Sequence, residues 1–283
     1  MDVGSGMEES NQDLVDGFAA VGQEFGEPVE FGELEAIFIT HGHIDHFGGL
    51  PFVKQFSDAP VGAHPLDRRV LSHYEERVVV ASRRLETFLV GAGVLRGQRE
   101  KLMAMYLFAK GVYHSTPVDF ELEEGASAFK GIDIIHVPGH CPGQVCLKVD
   151  DILLTADHVL SYTTPHQAPE SITNNMGLGH YLESLKKIAQ VDGVRLALGG
   201  HEEPMPDLAL RVEEIEQVHE ERLEQILDIC VEPRSTAEIS QALFGQVSSY
   251  HVLLAGPGRP GLGGGRRSCG VSVPTRGAGG RER

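Results

Sequence analysis

The chain has 283 residues, 41% of them hydrophobic, which is enough to bury the core of one large domain and a smaller one. Its net charge of -17 argues against a general nucleic-acid or membrane-surface binder, because such proteins usually present a basic face. The sequence has no run of roughly 18 apolar residues, no secretion-signal pattern and no CxxC pair among its four cysteines, so we expect a cytoplasmic protein without disulfides.

The first sixty residues predict short elements around one unusual loop. Residues 1–34 are acidic; the first six resemble the tail of a strand and the turn after it, and Leu14–Val21 predicts a short helix. Glu35–Ile39 and Ala59–His64 predict short strands. Between these strands, a glycine pair allows a tight turn before a helix that starts at Leu50.

The loop after the first strand concentrates side chains that bind metals. It places His41, His43, Asp45 and His46 within six consecutive positions, at the junction between a buried strand and a helix. Neutral imidazole nitrogens and a carboxylate oxygen suit a transition metal, and a loop lets residues two apart point the same way. A histidine-rich surface loop is the alternative. We favour a metal site because further ligand types recur downstream.

The middle of the chain changes from a helical to a strand pattern. Residues 67–113 carry apolar residues three and four apart, interrupted by glycines, which predicts two helices inserted along one side of a cleft. Ile132–Val137 alternates like a strand, and Val145–Val149 with Ile152–Thr155 predicts a hairpin.

Helices dominate the last part of the chain. Met176–Gln190 predicts a helix, Val194–Leu198 a strand, and Asp207–Cys230 a long acidic amphipathic helix. Ser235 opens a capping box before a further helix that extends to Phe244.

Three later loops share one format, in which a ligand-type residue follows a strand and glycine or alanine stands beside it. These residues are His140, Asp157 and His201. Glycine beside a ligand lets the backbone approach a metal closely, and strand ends on one edge of a sheet can converge. The full set of candidate ligands is therefore His41, His43, Asp45, His46, His140, Asp157 and His201.

With this order and spacing of ligands, residues 1–206 resemble the metallo-β-lactamase superfamily. The resemblance implies an α+β fold, the αβ/βα four-layer sandwich of two sheets packed face to face with helices outside, and a helical insertion at 67–113. It implies two metal ions, most often zinc, with iron or manganese as alternatives. By that resemblance His41, His43 and His140 hold the first metal, Asp45, His46 and His201 hold the second, and Asp157 bridges them.

The resemblance also implies the chemistry. Two cations about 3.5–4 Å apart lower the pKa of a shared water toward neutrality, giving a hydroxide that attacks a carbonyl or phosphorus centre. The metals stabilise the oxyanion that develops. Asp45 and Asp157, the candidate catalytic residues, position the nucleophile and accept a proton.

Several neighbours of these ligands carry weaker hypotheses. His158 and His64 are candidates for contacts to the ligands, and His166 for the substrate entrance, with packing or surface positions as the alternative. Cys141 directly follows His140, and we interpret it as a small buried neighbour and not as a ligand.

Both ends of the chain depart from the superfamily's pattern. The strands that normally precede the turn at Asp2 are absent from the sequence, so we expect an N-terminally truncated sandwich. Residues 207–255 resemble the small winged-helix-like domain of the β-lactamase-like 2 and glyoxylase-type hydrolases, and the likeness stops after Leu254. Residues 256–283 are almost all Gly, Arg, Pro and Ser; we expect disorder there, as a frameshift would produce.

Three functions fit these features. We favour metal-dependent hydrolysis of a small ester, thioester or lactone, because of the seven ligands and the acidic composition. The alternatives are a single-strand-specific ribonuclease of the same fold, and a non-enzymatic DNA-binding or scaffold protein that uses the C-terminal helices; di-iron redox chemistry ranks lower. The expected partner is a small-molecule substrate, with RNA or a second copy of the chain as further candidates and no membrane.

Overall fold

Two sheets with helices on their outer faces form the architecture, as seen in a computed structural model that describes residues 1–26, 28–126 and 129–244. The first sheet is parallel and has the order β1 (Ile37–Ile39), β2 (Val61–Ala63), β3 (Phe120–Glu121). The second sheet runs in chain order through β4 (Gly125–Ala126), β5 (Ile132–His136), β6 (Val145–Val149), β7 (Ile152–Ala156) and β8 (Leu196–Gly199). Its pairs are antiparallel except β7 with β8, which is parallel.

The described residues form nine α-helices, most of them in the connections between these strands. They are α1 (Glu8–Phe25), α2 (Ile44–Phe47), α3 (Leu50–Val53), α4 (Pro65–Ser72), α5 (Tyr74–Gly91), α6 (Arg96–Lys110), α7 (Leu178–Ile188), α8 (Leu208–Ile229) and α9 (Thr236–Phe244). Within the described part of the chain, no helix combines the length and apolar character needed to cross a membrane.

The two sheets meet face to face through one apolar cluster. Phe38 from β1 packs there with Ile134 from β5 and with Val145 and Leu147 from β6. All four are almost fully buried, and each such side chain stabilises the fold by about 1.5–3 kcal/mol. Separate clusters join the outer helices to each sheet, so the α+β sandwich predicted from the sequence is confirmed.

The helical insertion differs from its prediction. Three helices, α4 to α6, stand where two were expected. The extra break lies at His73, whose φ of -137° and ψ of 48° leave the helical region. The backbone N–H of Tyr74 is directed to the hydroxyl of Ser115, 2.8 Å away, so the segment after α6 fixes the break. A contact 41 residues away in the chain cannot be seen in the local periodicity.

The start of the chain also differs in detail. Helix α1 is much longer than the predicted Leu14–Val21, and none of its residues is buried, which explains the weak apolar pattern. The segment before it forms a turn, in which Asp2, Gly4 and Gly6 have positive φ. The backbone N–H of Asp2 donates to the carbonyl of Phe38, so the turn is joined to β1.

At the other end, the capping box before α9 is confirmed. The N–H of Glu238 donates to the hydroxyl of Ser235, and the N–H of Ser235 donates to the Glu238 carboxylate. The wing and third helix of the expected winged-helix-like domain, and the tail at 256–283, fall outside the described residues. The domain boundaries proposed from the sequence stay predictions.

Candidate metal centre

Strand ends gather the candidate ligands at one edge of the sandwich. His41 and His43 follow β1, and helix α2 carries Asp45 and His46. The other three follow strands of the second sheet: His140 after β5, Asp157 after β7 and His201 after β8. The structure brings all seven into two groups that share Asp157.

Three imidazole nitrogens converge in the first group. His43 Nδ1 lies 3.1 Å from His41 Nε2 and 2.9 Å from His140 Nε2. Nitrogen ligands of a tetrahedral zinc ion are separated by about 3.3 Å, given zinc–nitrogen distances near 2.0–2.1 Å. Both distances from His43 Nδ1 are therefore already close to those between the nitrogen ligands of one metal ion.

The outer nitrogens of these rings show which inner nitrogens lack a proton. The Thr40 hydroxyl donates to the Asp2 carboxylate at 2.8 Å, so its oxygen is left to accept from His41 Nδ1 at 3.1 Å. The carbonyl of His166 accepts from His140 Nδ1 at 2.7 Å. His41 and His140 thus both turn an unprotonated Nε2 toward His43 Nδ1.

This arrangement of protons favours a cation. Two nitrogen lone pairs, on His41 Nε2 and His140 Nε2, face His43 Nδ1. If His43 Nδ1 carried a proton, that N–H could make a good hydrogen bond to only one of them. The other nitrogen of His43, Nε2, lies 3.4 Å from the Cys141 sulfur, which gives that N–H an acceptor and leaves Nδ1 free. In that form three lone pairs point at one another, and a bound cation satisfies all of them.

The second group combines two histidines with two carboxylates. His201 Nε2 lies 3.5 Å from Asp45 Oδ2 and 3.5 Å from Asp157 Oδ1, and His46 Nε2 lies 3.4 Å from the same Asp157 oxygen. The other oxygen of Asp157, Oδ2, lies 3.7 Å from His140 Nε2 in the first group. Asp157 therefore presents one oxygen to each group.

Two atoms in the second group are buried without a hydrogen bond in the described part of the chain: His46 Nε2 and Asp157 Oδ1. Buried polar atoms normally have a partner, because leaving one unpaired costs about 1–3 kcal/mol. The opposite nitrogen of His46, Nδ1, is held by Asp2 at 3.0 Å, which aims Nε2 into the site. The orphaned pair and the donor set fit a divalent cation.

The electrostatics divide the two groups. Burial, reinforced by the neighbouring histidines, lowers the pKa of His41 and His43, and burial lowers that of His140, so these rings are neutral at pH 7. Burial alone would raise the pKa of Asp157, but the surrounding histidines outweigh it and hold this pKa at about 2. In the second group burial lowers the pKa of His46, but Asp2 and Asp157 together outweigh it and raise that pKa, and a hydrogen bond to Asp45 raises the pKa of His201. Metals bind neutral imidazoles and ionised carboxylates, so these two rings would release a proton on binding.

Asp67 is a further residue of the centre that sequence reasoning missed. It lies on α4, is 1% exposed, and accepts backbone N–H groups from Gly42 and Gly143, one from each of two ligand-bearing loops. Burial raises the pKa of its carboxyl to about 6. Its sequence neighbourhood gave no signal, because the two contacts span 25 and 76 residues.

The weaker hypotheses have separate outcomes. His166 contacts the site through its backbone carbonyl on His140. His64 stacks on His136, with ring centroids 3.9 Å apart. His158 is fully buried and its ring packs edge-on against Tyr181, and burial lowers its pKa to about 3. Packing thus describes His158 and His64 better than contact with the ligands.

The loop that carries His166 is fastened to helix α8. Arg211, in the first turn of α8, donates to the carbonyls of Leu160 and Thr163 at 2.7 and 3.2 Å. The Glu202 carboxylate accepts the backbone N–H of Tyr162 at 2.7 Å. The carbonyl that orients His140 is therefore part of a segment anchored from the C-terminal helix.

One cationic side chain acts on the site. Lys110 ends helix α6, and burial lowers its pKa, although Asp45 and Cys141 partly oppose that effect. Its charge in turn contributes to the lowered pKa of His43. The end of the helical insertion thus carries a charge that interacts electrostatically with His43 and Asp45.

The chain is similar in sequence to known proteins. The family model of the metallo-β-lactamase superfamily matches residues 19–201. The chain is 24% identical over 264 residues to the probable metallo-hydrolase YqjP of Bacillus subtilis, covering 90% of this chain and 79% of that protein. It is 28% identical over 188 residues to the atrochrysone carboxyl ACP thioesterase AacuM of Aspergillus aculeatus, covering 63% of this chain and 41% of that protein.

Solved structures show the same fold. The metallo-β-lactamase family protein TTHA1429 of Thermus thermophilus superposes with a TM-score of 0.70 at 25% identity, covering 88% of this chain and 79% of that chain. A β-lactamase domain protein from Burkholderia ambifaria gives a TM-score of 0.67 at 19% identity, covering 87% and 70%.

Proposed function

This chain belongs to the metallo-β-lactamase superfamily, and we propose that it is a dinuclear metal-dependent hydrolase of small esters, thioesters or lactones. The observation that carries the proposal is the convergence of two groups of ligand atoms on the two oxygens of Asp157. The family membership supports metal-dependent hydrolysis. The substrate class and the choice of zinc go further and are our proposal.

Each candidate ligand has a place in the proposed site. His41, His43 and His140 would hold one ion, Asp45, His46 and His201 would hold the other, and Asp157 would bridge them. The opposite nitrogens of four of these histidines are bound by Thr40, Cys141, Asp2 and the His166 carbonyl. Such outer partners fix ring orientation and raise the basicity of the ligands. We propose zinc because neutral imidazoles and carboxylates suit it, although iron and manganese accept similar donors.

The chain's own residues would position the reaction. Bound divalent ions supply Lewis acidity and lower the pKa of water toward neutrality. Asp45 is held ionised. Burial raises its pKa, but the hydrogen bond from His201 and the charges of neighbouring histidines have the larger combined effect and lower the pKa below its usual value. Its carboxylate accepts hydrogen bonds only, so it can orient a water and receive a proton from it. The same holds for Asp157, whose pKa is also low.

The proposed substrate class rests on charge and on one relative. The net charge of -17 disfavours a long polyanion such as RNA. The relative AacuM carries the name of a thioesterase, which supports acyl transfer to water on this scaffold. A small acyl ester or thioester is therefore proposed ahead of RNA.

The proposal is tested by metal analysis followed by a substrate panel. We expect two zinc equivalents per chain, and hydrolysis of acyl thioesters, esters or lactones that is lost in His43→Ala. The matched control is His114→Ala, an exposed histidine outside both groups. A protein that binds no divalent metal would overturn the proposal. Cleavage of single-stranded RNA with steep salt dependence, without ester hydrolysis, would replace it by the ribonuclease alternative.

A further inference from the structure

The two loops that carry the first group of ligands come from different halves of the sandwich. Residues 40–43 follow β1 of the first sheet, and residues 138–143 follow β5 of the second. Metal affinity depends on how well such loops are held in register, because a ligand displaced by 1 Å binds poorly. The structure shows one side chain that bonds to both loops.

That side chain is Asp67. Its Oδ2 accepts the N–H of Gly42 at 2.7 Å, and its Oδ1 accepts the N–H of Gly143 at 2.9 Å. Gly42 stands between His41 and His43, and Gly143 stands three residues after His140. One carboxylate therefore spans the two ligand loops, with a separate oxygen for each.

The approach requires glycine at the second contact. A Cβ at Gly143 would lie 2.8 Å from Cβ, Cγ and the backbone nitrogen of Asp67, which is closer than atoms tolerate. A carboxylate that accepts two N–H groups makes charge-assisted hydrogen bonds, which are about twice as strong as neutral ones. The glycine at position 143 is thus what lets Asp67 approach the second loop closely.

From this geometry we propose that Asp67 is a positioning residue for the metal centre, which clamps the loop of His41 and His43 to the loop of His140. The clamp acts through the backbone and touches no ligand atom. The inference rests on the proposed function, since it concerns the same metal site. It predicts that Asp67 governs metal affinity and coordination geometry beyond any effect on folding.

The test uses Asp67→Asn, because asparagine keeps the shape and one acceptor oxygen but turns an NH2 group toward the second N–H. The control is Asp119→Asn: this exposed carboxylate accepts the N–H of Val61 at 2.8 Å and contacts neither ligand loop. Each protein is titrated with Co²⁺ and followed by its visible absorption, and zinc affinity is measured by competition with a chelator. Thermal unfolding of the metal-free proteins reports structural damage separately.

We expect Asp67→Asn to bind zinc about 10–100-fold more weakly than the unchanged chain, which is the usual loss of affinity when an outer partner of a metal ligand is changed. Its Co²⁺ spectrum should also differ. Asp119→Asn should match the unchanged chain in both. Wild-type affinity and spectrum in Asp67→Asn overturn the inference, even if its unfolding temperature falls. If Asp67→Asn does not fold, Asp67→Ser, which lacks the repelling NH2 group, is judged by the same criteria.

The two proposals fail differently. If the unchanged chain binds no metal, the proposed function fails and the clamp fails with it. If the unchanged chain binds metal and hydrolyses its substrate while the Asp67 variants bind equally well, only the clamp is wrong.

Discussion

Replacing Gly139 by alanine should damage both the stability and the metal centre. Gly139 precedes His140 and has a φ of 142°, a backbone conformation that residues with a side chain rarely adopt. An alanine Cβ there would lie 2.5 Å from Cα and 2.6 Å from the backbone nitrogen of Tyr181 in helix α7. These are backbone atoms of a packed helix, so no side-chain rotation can relieve the clash.

The expected magnitude combines two costs. Holding a non-glycine residue in a sparsely populated conformation costs about 1–3 kcal/mol. Overpacking against a fixed neighbour costs about 1–3 kcal/mol more. The free energy of unfolding should therefore fall by about 2–6 kcal/mol, a large part of the roughly 5–15 kcal/mol of a typical domain. Any shift of the 138–143 loop that relieves the strain also moves His140.

Urea unfolding of the metal-free protein and zinc titration of the folded protein measure the two effects. The matched control is Gly179→Ala on α7, where an added Cβ meets nothing within 4 Å. That change should be neutral or stabilise by up to about 1 kcal/mol, because alanine favours helix. If Gly139→Ala unfolds within about 0.5 kcal/mol of the unchanged chain, as an ordinary surface substitution does, the strain argument is refuted.

Two more outcomes are expected. Burial lowers the pKa of His219 to about 4 from 6.5, so between these pH values the unfolded chain binds more protons than the folded chain. The free energy of unfolding should therefore fall by up to about 3 kcal/mol as the pH drops from 6.5 to 4. In acid-unfolding curves, His219→Leu should make this dependence on pH less steep. Asp2→Ala removes the acceptor that aims His46, and zinc affinity measured by chelator competition should fall about 10–100-fold; unchanged affinity would contradict that role.

The sequence was most informative where chemistry and topology coincide. His140, Asp157 and His201 could be chosen because each follows a predicted strand, and strand ends share one edge of a sheet. The pattern of His41 to His46 is dense enough to point to metal binding alone. Face-to-face sheets and outer helices followed from the resemblance, and the apolar cluster around Phe38 confirms that arrangement.

Contacts that depend on the backbone could not be predicted in this way. Asp67 binds two backbone N–H groups, which every residue except proline offers, so the hydrogen bonds themselves cannot be recognised in the sequence. The helix break at His73 depends on Ser115, and the orientation of His140 depends on a carbonyl at His166. Cys141 was correctly expected to be buried, but its contact with the outer nitrogen of His43 appears only in three dimensions.

The bonds of Arg211 bear on where this protein can be divided. A fragment ending at residue 206 would retain every candidate ligand, yet it would lose Arg211 and the carbonyl contacts that hold the loop of His166. It would also uncover the apolar surface that Val212 and Ile215 share with Tyr181. For engineering, the first residues of α8 should stay with the ligand-bearing residues. A shortened chain should therefore end beyond Ile215 and not at residue 206.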